Sequence, residues 1–132
     1  MPAADRPVDK PRPVYLNLFA IRQPVPAIVS ILHRISGALL FLVGIPLLLW
    51  AVQRSLASPE GYAATVAPFT TPIGKLVLLV LGWCYVYHLF AGLRHLALDL
   101  HVGIRLAPAR ASAALVLVAS IIVALIIAVR LW

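Results

Sequence analysis

Three long stretches of this sequence carry no formal charge, and each one approaches the length needed to cross a lipid bilayer. Ile35 to Val52, Leu76 to Leu93 and Ala111 to Val129 contain no Lys, Arg, Asp or Glu. A helix needs about 20 predominantly apolar residues to span a hydrocarbon core of about 30 Å, and the adjoining turns supply the remainder. The pattern therefore predicts an all-α integral membrane protein with three transmembrane helices.

The composition agrees with a membrane protein and excludes a large soluble part. Hydrophobic residues make up 63% of the 132 residues and charged residues 11%, whereas soluble domains are about 45–50% apolar. Three spanning helices and their loops use most of this length, which leaves no room for a separate soluble catalytic domain. The net charge of +7 comes from scattered single residues, so it indicates topology signals and lipid contacts, with no nucleic acid partner.

Turn-forming residues and charges set the predicted segment boundaries. We predict a proline-rich arm over residues 1–26, helices over 27–52, 75–98 and 111–130, an outer loop over 53–74 and an inner loop over 99–110. Pro46 lies inside the first of these helices, and a proline there removes one backbone donor. We therefore expect a kink near Pro46.

The basic residues predict which way the chain enters the membrane, because inner loops of membrane proteins carry an excess of Lys and Arg. With the N-terminus inside, most basic residues lie on or near the inner side, namely Arg6, Lys10, Arg12, Arg22, Arg34, Arg94, Arg105 and Arg110. Arg54, Lys75 and Arg130 lie toward the outer side. The expected topology has an inner N-terminus and an outer C-terminus.

A first polar group lies near the inner end of the first helix. Ser30 and Arg34 are four residues apart and share one helix face. Arg34 lies about 10 Å along the helix, where a guanidinium needs an anionic or accepting partner. A quinone carbonyl or a haem propionate would suit it; the alternative is that Arg34 reaches lipid phosphate and Ser30 bonds to its own helix.

A second polar group lies on the second helix, where His88 is about 15 Å from the inner helix end. A neutral imidazole at that depth suits an axial ligand of haem iron, and Gly92, one turn further along, would let a flat porphyrin approach. The alternative is a hydrogen bond to a neighbouring helix. His33 lies only about 9 Å deep, which makes a single iron shared by His33 and His88 awkward.

Three blocks of this sequence resemble the cytochrome b subunit of bacterial succinate dehydrogenase, and the resemblance covers essentially the whole chain. The blocks are Arg12-Pro13-Val14-Tyr15-Leu16-Asn17-Leu18 with Ile21-Arg22, Ser30-Ile31-Leu32-His33-Arg34-Ile35-Ser36-Gly37, and His88 through Gly92-Leu93-Arg94-His95 to Asp99. Ser58-Pro59-Glu60-Gly61 in the first loop also fits.

The resemblance implies roles for individual residues. His88 is then the axial ligand of haem b, Ser30 and Arg34 bind ubiquinone or another quinone, and Ile31 lines the quinone pocket. His33 and Arg34 are then placed to contact the haem propionates. The remaining polar residues of the third block are candidates for subunit-interface or second-shell positions: Arg94, His95 and Asp99.

The resemblance also implies partners and a location. The chain would pack with a second small membrane subunit, which gives the other haem ligand, into a haem-binding helical bundle. An iron–sulfur subunit and a flavoprotein subunit would complete the complex in the bacterial inner membrane, with a cytoplasmic N-terminus and a periplasmic C-terminus. Two alternatives stay open: a structural anchor without haem, and the corresponding subunit of a quinol:fumarate reductase.

Overall fold

The computed structural model describes residues 20–132, and all regular structure in that part of the chain is helical. Three helices are long and apolar enough to cross a membrane: Val25–Ala57, Pro72–Asp99 and Leu106–Leu131. This confirms the predicted all-α class with three candidate spans. Most of the predicted N-terminal arm lies outside the described residues.

The first spanning helix is continuous but irregular at its centre. It consists of α1 (Val25–Leu39), a π-helical stretch (Leu40–Gly44) and α2 (Ile45–Ala57). The N–H of Ile45 bonds to the carbonyl of Leu40, five residues back. Pro46 has no N–H to offer to the preceding turn, and a π turn is one way in which a helix absorbs such a gap. The predicted irregularity near Pro46 therefore takes the form of a π-helical turn.

The connection to the second span is itself mostly helical. It contains α3 (Pro59–Val66) and a 3₁₀ turn (Ala67–Thr70). The Ser58 hydroxyl caps α3 by accepting a hydrogen bond from the N–H of Gly61 at 3.0 Å. The pKa of the exposed Glu60 carboxyl is lowered, first by its own backbone N–H and then by the Ser58 hydroxyl. A helix N-terminus stabilises such a negative charge.

The second and third spans form a helical hairpin. α4 (Pro72–Asp99) begins after Thr71, whose hydroxyl accepts from the N–H of Gly74 at 3.1 Å. A short turn then leads into α5 (Leu106–Leu131). Two residues of this turn have positive φ angles, His101 at 61° and Gly103 at 73°. Left-handed backbone of this kind ends a helix and reverses the chain.

The helices α1, α4 and α5 contact one another and enclose a small core. Its buried members are Val29, Tyr87, Ala91, Ala113 and Val116. Within the most apolar window of each span, only 6% of the residues are buried in the first, against 17% in the second and third. The large apolar surface left over is suited to lipid or to helices of another chain.

Candidate functional site

The site is built where α1 crosses α4, by a histidine and a glycine from each helix. His33 precedes Gly37 by one turn on α1, and His88 precedes Gly92 by one turn on α4. A Cβ atom added at Gly37 would lie 2.7 Å from Cε1 of His88, and one added at Gly92 would lie 3.5 Å from Nε2 of His33. Each imidazole therefore lies over the glycine of the opposite helix.

The imidazoles of His33 and His88 are stacked, with centroids 4.0 Å apart and 14° between the ring planes. The two backbones differ in level by about one helical turn, since His88 faces Gly37 and His33 faces Gly92. The side chains span that difference. The unequal depth of the two residues therefore does not keep their rings apart, and whether they could share one iron is a separate question.

Gly92 lies next to an imidazole of this chain. A Cβ atom added there would meet Nε2 of His33 at 3.5 Å, an ordinary contact. The expected approach of a flat porphyrin to Gly92 stays a prediction.

Two hydrogen-bond acceptors lie next to Nδ1 of the His88 ring. Nδ1 lies 3.0 Å from the carbonyl oxygen of His33 and 3.2 Å from the hydroxyl oxygen of Ser36. A carbonyl only accepts, and the Ser36 hydroxyl donates its proton to the same carbonyl at 3.0 Å. Nδ1 must then carry the ring proton, which leaves the lone pair of His88 on Nε2.

An apolar groove runs beside His88 along the first helix. A cavity of about 310 Å³ is lined by His88, Gly37, Leu40, Phe41, Ile45, Tyr85 and Leu89. A second cavity of about 510 Å³ shares Leu40, Ile45 and Tyr85 with the first and continues toward Phe69. The residues of the π-helical stretch contribute to both walls, so the helix irregularity shapes the groove.

The remaining polar residues of α4 are distributed around this centre. His95 extends the pair of rings, with its centroid 5.1 Å from that of His33 and 50° between their planes. Asp99 is exposed at the last residue of α4. Arg94 points away from the histidines and is 8% exposed, because its guanidinium donates to Ser112 Oγ at 3.1 Å and to the Ala109 carbonyl at 3.2 Å.

The predicted quinone residues lie on the neighbouring face of α1. Ile31 and Arg34 are exposed, and Ser30 is half-buried. Neither the Ser30 hydroxyl nor the Arg34 guanidinium has a hydrogen-bond partner within residues 20–132, so Ser30 does not bond back to its own helix there. Both groups are left available to a ligand or to another chain.

Three residues that the sequence did not single out support His88. Ser36 and Gly37 touch its ring, and the buried hydroxyl of Tyr87 donates to the Val29 carbonyl at 2.9 Å, tying α4 to α1. The spacing His-x-x-x-Gly, which occurs on both helices, was a signal that pointed to Gly37.

The donor set fits a haem better than a metal ion bound by protein alone. Within the described part of the chain no group of three or more His, Cys, Asp or Glu residues is arranged to hold a metal ion. A haem iron has four ligands from its porphyrin and needs only axial nitrogens. His88, with its lone pair on Nε2 and an apolar groove alongside, meets that requirement.

Known proteins similar to this chain point to one family. The model of the succinate dehydrogenase/fumarate reductase transmembrane subunit family matches residues 8–127. A succinate dehydrogenase cytochrome b556 subunit of Coxiella burnetii is 38% identical over 92% of this chain and 97% of its own length. The same subunit of Paracoccus denitrificans is 33% identical over 87% of this chain and 88% of its own. With three apolar helices in its described part and a family match over most of its length, the chain belongs to the multi-pass transmembrane subunits of succinate dehydrogenase and fumarate reductase.

Proposed function

We propose that this chain is the cytochrome b membrane-anchor subunit of a succinate dehydrogenase, and that it binds haem b and forms part of a quinone-reduction site. The family match and the names of the relatives support this role. The observation that carries the haem assignment is the 3.0 Å hydrogen bond from Nδ1 of His88 to the His33 carbonyl. It leaves Nε2 free to bind iron.

In this proposal His88 is the iron ligand, and the neighbouring residues hold its ring in place. His88 binds the iron through Nε2, while the His33 carbonyl and Ser36 fix the tautomer and the orientation of its ring. An acceptor on the far nitrogen also raises the basicity of a metal-bound imidazole. When bound, the haem supplies a one-electron carrier within the membrane. His33 and Arg34 lie toward the inner side of His88 and are proposed to contact the propionates.

The proposed quinone site uses the adjoining face of α1. Ser30 and Arg34 donate hydrogen bonds to the quinone carbonyl oxygens, and Ile31 packs against the ring. Reduction builds negative charge on those oxygens, and a fixed guanidinium stabilises charge as it develops. Ile31 and Arg34 are exposed on this chain, so the other walls of the pocket must come from partner subunits.

The proposed partners follow from what the chain supplies and what it leaves open. A second small membrane subunit gives the other haem ligand, so that one haem is shared, and it covers the poorly buried first helix. An iron–sulfur subunit delivers electrons, and a flavoprotein subunit oxidises succinate. His95 is proposed to act beside the haem-binding residues, Asp99 to lie at a subunit contact, and Arg94 to act on the site only by joining α4 to α5.

The proposed location is the bacterial inner membrane, with the N-terminus cytoplasmic and the C-terminus periplasmic. Basic residues flanking the spans support this orientation, since Arg22 and Arg105 lie at the inner end and Lys75 at the outer end. A subunit of a quinol:fumarate reductase would use the same residues in the opposite direction, and a structural anchor would use none of them for haem.

The test is a reduced-minus-oxidised visible spectrum of the purified complex, with His88→Ala compared to the native chain. The native complex should show a b-type haem signal, and His88→Ala should abolish it or change its ligation signature. His101→Ala is the matched control, because His101 is exposed in the turn after α4. The control variant should retain the native spectrum.

Two outcomes would contradict the haem assignment. A native complex without haem would leave the chain as an anchor that binds quinone at most. An unchanged haem spectrum in an assembled His88→Ala complex would move the ligand to another residue.

A further inference from the structure

A second groove lies between α4 and α5, away from the histidines. Its volume is about 570 Å³, and apolar side chains such as Phe90, Leu98 and Leu115 form most of its walls. Val102 and Pro108 contribute from the turn that joins the two helices. The groove therefore reaches the membrane surface on the side of the α4–α5 turn.

Arg94 is the charged residue in the wall of this groove. It is 8% exposed, and both of its hydrogen-bond acceptors, the Ser112 hydroxyl and the Ala109 carbonyl, are uncharged. Residues 20–132 contain two acidic side chains, Glu60 and Asp99, and neither bonds to Arg94. A buried guanidinium without a counter-charge is costly inside a membrane.

Part of the Arg94 guanidinium remains available to a ligand. Its hydrogen bonds use Nε and one terminal nitrogen. The other terminal nitrogen has no hydrogen-bond partner among the described residues. Every fully buried side-chain nitrogen and oxygen in that part of the chain does have a partner. That nitrogen is therefore not fully buried, and Arg94 is one of the residues that line the groove.

An exposed cation adjoins the turn end of the groove. Arg105 immediately precedes α5 and lies between Gly103 and Pro108, which both line the groove. Arg94 and Arg105 together outnumber the exposed Asp99 at the end of α4. An apolar groove with a cation in its wall and another beside its turn end fits a molecule with an apolar chain and a negatively charged head.

We propose that the α4–α5 groove binds an anionic phospholipid, with an acyl chain along the apolar walls and the phosphate accepting a hydrogen bond from Arg94. A phosphate supplies the counter-charge that residues 20–132 do not provide, and charge-assisted hydrogen bonds of this kind are strong. A quinone would fill the apolar walls equally well but would leave the guanidinium charge unpaired. This site does not depend on the proposed haem or quinone functions.

The test measures phospholipid retained by the purified complex. Native and variant complexes are equilibrated with phosphatidylglycerol or with phosphatidylcholine of matched acyl chains, and bound lipid is counted by native mass spectrometry. The native complex should hold one more phosphatidylglycerol per copy of this chain than Ala97→Phe, which fills the groove and keeps Arg94. Arg94→Gln should weaken that binding about tenfold or more, as expected for loss of a hydrogen bond to a charged group.

A separate cavity between the same two helices provides a matched control. That cavity, of about 320 Å³, includes Leu79, Trp83 and Ala124 and has no charged residue in its walls. Ala124→Phe fills it and should leave the phosphatidylglycerol count unchanged.

Three results would overturn the proposal. Equal retention of phosphatidylglycerol and phosphatidylcholine in the native groove would remove the role of the negative head group. If the Ala97→Phe complex lost bound quinone and kept its bound lipid, the occupant of the groove would be a quinone. Failure of Ala97→Phe to assemble, while Ala124→Phe assembles, would make the groove a contact for a partner subunit.

Discussion

The imidazole rings of His33 and His88 lie face to face, with 4.0 Å between their centroids. Two axial ligands of one iron instead point their nitrogens at each other through the metal, from opposite sides of the porphyrin. Stacked rings turn their faces, and not their ring nitrogens, toward each other, so we propose that only one of the two histidines would hold the haem iron. The pair has one proposed ligand, His88, and one neighbour, His33, whose carbonyl oxygen orients it.

Replacing His33 by Ala should therefore preserve haem binding. The variant keeps the backbone carbonyl that accepts from Nδ1 of His88, so the ligand keeps its tautomer. Loss of the imidazole should shift the haem potential if His33 contacts a propionate. Haem content and midpoint potential of the purified complex measure the two effects, and loss of haem equal to that in His88→Ala would assign His33 as a ligand.

Gly37→Ala should impair haem binding without removing any polar group. Its new Cβ atom would meet Cε1 of His88 at 2.7 Å, which forces the ring to move. Overpacking of this kind costs about 1–3 kcal/mol, equivalent to roughly tenfold or more in haem occupancy. The measurement is the ratio of haem to protein in the assembled complex.

Gly82→Ala is the control for this substitution. A Cβ atom at Gly82 would meet Cδ1 of Ile127 at 3.5 Å, an ordinary contact. Haem content should stay at the native level, and an equal fall in both variants would point to a general weakness of the helix bundle.

Arg34→Gln should lower quinone reduction and leave succinate oxidation by an artificial acceptor intact. The substitution removes a charged hydrogen-bond donor, and such bonds contribute about 1.5–3 kcal/mol, or roughly tenfold to a hundredfold in rate. Steady-state assays with quinone and with the artificial acceptor separate the two steps. Arg54→Gln, near the opposite end of the first helix, should change neither. If Arg34→Gln reduced both activities equally, assembly would be the cause.

Tyr87→Phe should loosen the contact between α1 and α4. It removes the buried hydrogen bond from the Tyr87 hydroxyl to the Val29 carbonyl, 2.9 Å long, and interhelical hydrogen bonds in membrane proteins average about 0.6 kcal/mol. Thermal denaturation of the purified complex should show a small loss of stability. Tyr85→Phe is the control, since Tyr85 is 62% exposed; equal effects would remove the special role of Tyr87.

The sequence was sufficient to predict the three helices that are long and apolar enough to span a membrane. Long uncharged runs predict membrane spans directly, because the lipid requires them. The sequence also drew attention to His33 and His88, since polar residues are rare at such depth.

The mutual arrangement of those residues needed the structure. Depth estimated from helix ends separates His33 from His88, but it omits the glycines that let each ring lie on the opposite helix. Arg94 illustrates the same limit. The sequence left Arg94 and His95 as candidates for the same kinds of position, yet consecutive positions on a helix point about 100° apart, and Arg94 contacts α5 while His95 lies beside His33.

The π-helical stretch from Leu40 to Gly44 interrupts the regular α-helical spacing of the first span. Residues after it face other directions than a regular α-helix would give them. A π turn takes up one residue more than an α turn, and one residue corresponds to about 100° of rotation. A helical-wheel projection drawn from Val25 to Ala57 as a regular helix would therefore assign the wrong faces beyond Gly44. Deleting one residue of this stretch would remove the extra residue and restore a regular helix, so α2 would keep its present facing and Ile45 would stay in the groove wall beside His88.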